Sequence, residues 1–251
     1  MIREKLHISE IPAVIWGKQS DKVIVAVHGN MSHKEDTVIW LLAEKALEKG
    51  YQVLSFDLHE HGERQDQPDV TRVETYIKEL TSIMEEAKSR WQHISLFACS
   101  MGAYFSLMAY QKVSFEKVLF LSPLISMQAL IEGVMQGFGI SEKQLEEVQT
   151  IETPIGLKLY WPYYCYVKAH PTISLSELDG VGQSVQESEA FEWNKETYIL
   201  YGDKDEMCPR EIEEKFAKMY QCKLQIEPEA EHYFHTENQL AAYKRWLANT
   251  L

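Results

Sequence analysis

Short apolar runs alternate with segments whose apolar residues recur at helical spacing, and this alternation organises most of the chain. Ile11-Pro12-Ala13-Val14-Ile15-Trp16 predicts an early strand. Gly17-Lys18-Gln19-Ser20-Asp21 then reads as a turn, and Val23-Ile24-Val25-Ala26-Val27 as a strand buried on both faces. From Glu35 to Lys49, Val38, Leu41, Leu42 and Ala46 fall on one helical face, with Gly50 at the C-cap. Tyr51 to Phe56 predicts a strand, Thr71 to Arg90 a helix with Val73, Ile77, Leu80 and Met84 on one side, and Ile94-Ser95-Leu96-Phe97 another strand. A helix over Gly102–Gln111 starts directly after it, followed by a strand at Val118-Leu119-Phe120-Leu121. The alternation resumes late, with a strand at Thr197–Tyr201, a helix at Arg210–Tyr220, a strand at Lys223–Ile226 and a helix at Thr236–Ala248. Strands and helices in alternation predict an α/β fold: a mostly parallel central sheet flanked by helices.

Between about Gln128 and Glu189 the regularity lapses into a helical patch, a proline-broken aromatic cluster and a polar stretch. That is too long for a plain loop, so a cap subdomain inserted at about 128–189 is expected within a single domain spanning 1–251.

Composition narrows the function classes. Hydrophobic residues make up 45% and charged residues 25%, as in ordinary globular proteins. A net charge of −13 disfavours nucleic acid and anionic membranes as partners. No segment approaches the roughly 18 apolar residues that span a bilayer. The start, Met1-Ile2-Arg3-Glu4-Lys5-Leu6-His7, lacks a signal-peptide pattern. Cys99, Cys165, Cys208 and Cys222 show neither metal-binding spacing nor a disulfide framework. A cytoplasmic location follows as the expectation, with oligomeric state left open.

Chemistry concentrates at Phe97-Ala98-Cys99-Ser100-Met101-Gly102, between a predicted strand and a predicted helix. A chain that turns this sharply packs against itself, so the residues two before and two after the corner must be small. Ala98 and Gly102 meet that requirement around Ser100, whereas Phe97 and Met101 exclude Cys99. The competing reading of Ser100 is a helix N-cap. The segment resembles the nucleophile elbow G-x-S-x-G of α/β-hydrolases, with Ala98 in place of the first glycine.

That resemblance extends along nearly the whole chain outside the insertion, and it implies the rest of a site. Val27-His28-Gly29-Asn30 corresponds to the oxyanion loop, implying backbone N–H donors on Met101 and on Asn30, with Met31 an alternative to Asn30. Phe56-Asp57-Leu58-His59-Glu60-His61-Gly62-Glu63 resembles the family's D-x-x-G-H-G segment in altered order, and implies only a structural loop. In the family order Ser, acid, His, the pattern of a strand, then G-x-x-D, then a Pro implies Asp205 in Gly202-Asp203-Lys204-Asp205, with Asp203 as a rival, and the loop after the last strand implies His232, with His235 as a rival. The implied activity is that of a serine hydrolase cleaving a small carboxylic ester, with no metal or organic cofactor. Thioesterase, amidase or peptidase, and acyltransferase activities are alternatives with the same triad, and a non-catalytic binding member of the fold is another. Where the family carries a cap, Leu159-Tyr160-Trp161-Pro162-Tyr163-Tyr164-Cys165-Tyr166 supplies aromatic rings; Tyr160, Trp161, Tyr163 and Tyr164 are candidates for contacting the acyl group, or for gluing the cap to the core.

Overall fold

A computed structural model of the chain describes residues 1–67, 73–154, 156–172 and 196–251. The strands are β1 (Arg3–Ile8), β2 (Ile11–Trp16), β3 (Lys22–Val27), β4 (Gln52–Phe56), β5 (His93–Cys99), β6 (Val118–Leu121), β7 (Thr150–Glu152), β8 (Lys158–Tyr160), β9 (Thr197–Gly202) and β10 (Lys223–Glu227). The α-helices are α1 (Thr37–Glu48), α2 (Val73–Arg90), α3 (Met101–Ala109), α4 (Met127–Gly137), α5 (Glu142–Val148), α6 (Trp161–Ala169), α7 (Arg210–Met219) and α8 (Glu237–Thr250).

Eight strands form one sheet in the order β1-β2-β4-β3-β5-β6-β9-β10. From β4 to β10 every pairing is parallel, while β2 runs antiparallel to both β1 and β4. Strand alternation divides the core between the two faces. Val23, Val25 and Val27 of β3 join the cluster with α2, α3 and α7, and Ile24 and Ala26 join the one with α1 and α8. Burial on both faces is why β3 reads as an unbroken apolar run.

Helix ends follow their sequence signals. Asp36 caps α1 by accepting from the Val38 N–H, and Thr236 and Gln239 form a capping box on α8. Gly50, at φ +80, takes the left-handed position just past α1, and the next residue, Tyr51, donates from its N–H to Ala46 O at 3.0 Å.

The structure departs from the expected pattern in three places. The sheet begins earlier, with β1 pairing in register from Arg3 with Trp16 to Ile8 with Ile11. β1 is an edge strand and mostly exposed, and its apolar alternation is confined to Leu6 and Ile8, too short to read. The buried face of α2 uses Val73, Tyr76, Leu80, Ile83, Met84 and Ala87, with Ile77 only half-buried. The irregular region contains α4, α5, the two-stranded β7–β8 hairpin and α6. Residues 71–72 of the expected helix, and residue 155 and residues 173–189 of the expected insertion, lie outside the described residues.

Parallel pairing has one consequence for chemistry. The C-terminal ends of β3, β4, β5, β9 and β10 lie along one edge of the sheet, so the loops after them converge although they are far apart in sequence.

Candidate active site

Ser100 sits at the corner between β5 and α3 with φ 48° and ψ −122°, left-handed backbone that a non-glycine residue occupies at a cost of order 1–3 kcal/mol. The corner is tight because α3 is pressed against the end of β3. A Cβ built on Gly102 would lie 2.3 Å from His28 O and 2.8 Å from Val27 O, so only glycine fits. Ser100 makes no side-chain capping bond to α3, which decides against the helix-cap reading. Its Oγ instead lies 2.7 Å from His232 Nε2. Cys99 is unsuited to nucleophilic attack, because burial pushes its thiol up to about 12.

His232 is 7% exposed, and its Nδ1 lies 2.7 Å from Asp205 Oδ2. The carboxylate can only accept, so Nδ1 carries the proton and Nε2 presents a lone pair to the Ser100 hydroxyl. Asp205 is held in turn: its Oδ1 accepts 2.9 Å bonds from the N–H groups of Met207 and Cys208. The Tyr201 hydroxyl donates to Cys208 O at 2.7 Å, tying that turn back to β9. The two loops are also joined directly, since Lys204 N–H donates to Ala230 O at 2.9 Å. A Cβ on Gly202 would lie 2.3 Å from that same Ala230 oxygen, so the close approach needs glycine here too. Asp203 makes no bond to His232, and its Oδ1 is buried without a partner among the described residues. His235 is exposed and pairs with Glu231 at 3.5 Å. Ser100, His232 and Asp205 thus come together as one hydrogen-bonded chain, without Asp203 or His235.

The loop after β3 lies beside this chain. A Cβ on Gly29 would stand 3.1 Å from the Ser100 Cβ, so Gly29 lets the loop that carries Asn30 approach the serine. Neither Asn30 N–H nor Met101 N–H, the first of α3, has a backbone acceptor among the described residues. Met31 takes φ 54° and is 76% exposed. His28 is fully buried; its Nε2 accepts from the Leu58 N–H at 3.0 Å and its Nδ1 donates to Gly29 O at 2.7 Å. Burial lowers its pKa to about 4, so it is a neutral strut between two loops. The other end of the loop is fastened by charge. Lys34 Nζ reaches Asp57 Oδ2 at 2.5 Å and Glu63 Oε1 at 2.7 Å, and both the Lys34 N–H and the Glu63 N–H donate to Asp57. Burial opposes both charges, but these bonds outweigh it, holding Lys34 above and Asp57 below their ordinary values. Gly62 is required beside them, because at φ +56 a Cβ there would lie 2.3 Å from the Asp57 carboxyl. The segment 57–63 is therefore a structural brace.

The aromatic run divides by environment. Tyr164 is buried, donates to Glu132 Oε1 of α4 at 3.1 Å and carries the Lys168 ammonium 5.1 Å from its ring centroid, all of which are packing contacts. Tyr160, Trp161 and Tyr163 are half-buried. A groove of about 510 Å³ between the start of α2 and α6 is lined by residues including Tyr163 and Tyr166, but not by Ser100. A second of about 410 Å³ lies at Gly17 and Tyr51, across the molecule from the chemistry. The hydrogen-bonded chain locates the site better than groove size does.

Two neighbours of the site were invisible in sequence. Cys208 Sγ lies 3.9 Å from His232 Nδ1, and ligand atoms of Asp205, Cys208 and His232 all fall within 4.8 Å of one another, a set that could hold a metal ion. Glu213 of α7 is buried with both carboxylate oxygens unpartnered among the described residues; burial first, then the Asp205 charge, raises it well above the ordinary carboxylate range. Only the D-x-x-C spacing of Asp205 and Cys208 could have hinted at the first, and such a spacing is common.

The sheet order, the corner serine and the loops beyond β9 and β10 define the α/β-hydrolase fold of the serine hydrolases. Residues 18–150 match the Hydrolase_4 family, described as serine aminopeptidase, S33, and since that is more than half of the 251 residues, the chain belongs to this family. No curated protein sequence matches it significantly. Among solved structures it is similar to Est1E from Butyrivibrio proteoclasticus, with ferulic acid bound, at 20% identity and a TM-score of 0.72 over 98% of both chains. It is also similar to an esterase from Pyrococcus furiosus, at 18% identity and a TM-score of 0.66 over 100% of this chain and 92% of that one. A third is a serine hydrolase without lid from Xanthomonas campestris, at 12% identity and a TM-score of 0.65 over 99% and 93%. No helix among the described residues is long and apolar enough to cross a membrane.

Proposed function

We propose that the protein hydrolyses a small carboxylic ester through an acyl-enzyme on Ser100. The observation that carries this reading is the chain of 2.7 Å contacts from Ser100 Oγ through His232 to Asp205, at a serine held in left-handed backbone. His232 Nε2 takes the hydroxyl proton as the Ser100 oxygen attacks the carbonyl carbon. The N–H groups of Met101 and Asn30 receive the developing oxyanion, aided by the positive end of α3. Asp205 keeps the proton on Nδ1 and stabilises the imidazolium. The imidazolium then protonates the leaving alcohol, and a water molecule, deprotonated by the same nitrogen, attacks the acyl-enzyme to release the acid and regenerate Ser100. Every proton is carried by these residues, and no cofactor enters the scheme.

In this reading the described helices between β6 and β9, α4 to α6, act as a cap over the acyl group, the half-buried Tyr160, Trp161 and Tyr163 are the rings assigned to contact it, and Tyr164 holds α6 to α4. Est1E, with its bound ferulic acid, supports an aromatic or otherwise apolar acyl group of modest size. The family description favours a second reading, in which the same residues cleave an amide or peptide bond.

A fluorophosphonate probe should label Ser100; Ser100→Ala should abolish labelling, and Cys99→Ala should keep most of it. Labelling that persists in Ser100→Ala on another serine removes the proposal. A panel of esters, thioesters and amides then separates the two readings, the ester reading requiring the highest kcat/KM among the esters.

A further inference from the structure

We infer that Asp205, Cys208 and His232 form an inhibitory site for a thiophilic divalent cation such as Zn2+ or Cd2+, which disables the site by taking His232 Nδ1 as a ligand. The inhibitory consequence rests on the proposed role of His232 as base; the binding does not. Each residue offers a good ligand for such an ion: an imidazole nitrogen, a carboxylate oxygen and a sulfur. At present Nδ1 lies 2.7 Å from Asp205 Oδ2 and 3.9 Å from Cys208 Sγ. Around a tetrahedral zinc, bond lengths of about 2.0–2.3 Å put neighbouring ligand atoms roughly 3.3–3.8 Å apart. The carboxylate would move out, and the sulfur inward, by roughly half an ångström each. Three protein ligands leave the fourth position for water.

The surroundings favour a cation. Asp205 supplies a carboxylate whose one ion-pair partner among the described residues is His232, with no lysine or arginine paired to it. Cys208 and His232 are buried and the Asp205 side chain is covered, so entry must follow opening of the loops after β9 and β10, and inhibition should set in slowly.

The protons balance as follows. The Sγ proton leaves to solvent as the metal–sulfur bond forms. The proton on His232 Nδ1 gives way to the metal–nitrogen bond, and the ring takes one at Nε2, remaining neutral. Nε2 then donates to Ser100 Oγ instead of accepting from it, so the serine has no base. One proton is released per ion bound, and no oxidant or reductant is needed.

The test uses the full chain. Cd2+ titration, followed by the ultraviolet thiolate-to-cadmium charge-transfer band, should give one ion per chain. Cys208→Ala should remove the band, His232→Ala should weaken binding by about tenfold or more, and Cys165→Ala should leave both readings unchanged. In a hydrolysis assay, Zn2+ or Cd2+ should inhibit with slow onset, reversibly by chelator, and Mg2+ should not, since it prefers oxygen ligands. Cys208→Ser, compared with its own metal-free rate, should need about tenfold or more metal for half-inhibition. A band that survives in Cys208→Ala, or no band in the wild type, overturns the site. Equal metal sensitivity of the wild type and Cys208→Ser overturns the inhibitory role. A protein inactive on every substrate but with a Cys208-dependent band contradicts the hydrolase proposal and supports the metal site.

Discussion

Gly102→Ala tests whether the corner at Ser100 depends on the approach of α3 to β3. The added Cβ would lie 2.3 Å from His28 O and 2.8 Å from Val27 O, both backbone atoms at the end of a central strand. Restoring ordinary van der Waals separation needs about 1 Å of movement, because no rotamer change can relieve a clash with backbone. Overpacking of this kind costs about 1–3 kcal/mol, and the helix preference for alanine over glycine returns up to about 1 kcal/mol. The expected net loss of about 1–2 kcal/mol would lower the melting temperature by about 2–8 °C in a protein of this size. The displaced element carries both the Ser100 Oγ and the Met101 N–H. A shift of about 1 Å there should lower turnover about 100-fold, beyond what partial unfolding explains at assay temperature. Gly133→Ala is the matched control, because nothing lies within 4 Å of a Cβ in the middle of α4, and it should raise stability by up to about 1 kcal/mol with turnover unchanged. Melting by circular dichroism and turnover on one ester decide the matter. A Gly102→Ala protein that melts and turns over like the wild type refutes the reasoning.

Asp205→Asn should reduce turnover by about four orders of magnitude by favouring the wrong His232 tautomer, while Asp203→Asn should be nearly silent; the reverse pattern in steady-state kinetics would reassign the acid. His28 is held neutral in the fold with a pKa near 4, so the unfolded chain binds more protons as pH falls from 6.5 towards 4, and stability is fully present above that window and lost within it. The loss reaches about 3 kcal/mol, His61 adds to it in the same direction, and urea unfolding across that range should show a flatter profile in His28→Gln. Tyr164→Ala should cost about 3–5 kcal/mol with little change in ester preference, and a variant that melts normally with an altered profile would move Tyr164 from packing to substrate contact.

The elements were legible where local pattern and burial coincide. β3 is apolar because both its faces are covered, and α3 follows β5 so closely because Ala98 and Gly102 leave room for the corner at Ser100. The order of Ser100, Asp205 and His232 along the chain, each after a strand, marked the candidate site before any distance was known. β1 was not legible because an exposed edge strand leaves only Leu6 and Ile8 as apolar signal, nor was the β7–β8 hairpin, whose strands are only three residues long. The choice of Asp205 over Asp203 rested on the G-x-x-D spacing of the resembling family, whereas what separates the two physically is which carboxylate meets an imidazole brought in by the loop after β10. In the same way Cys208 was only a cysteine after a short acidic run until the sheet set it 3.9 Å from a histidine 24 residues on. Sequence spacing governs contacts within a strand, a turn or a helix. Side chains delivered from different strands meet only where the order of the parallel sheet, β3 beside β5 and β9 beside β10, brings their loops to one edge, and that order is a property of the packed core.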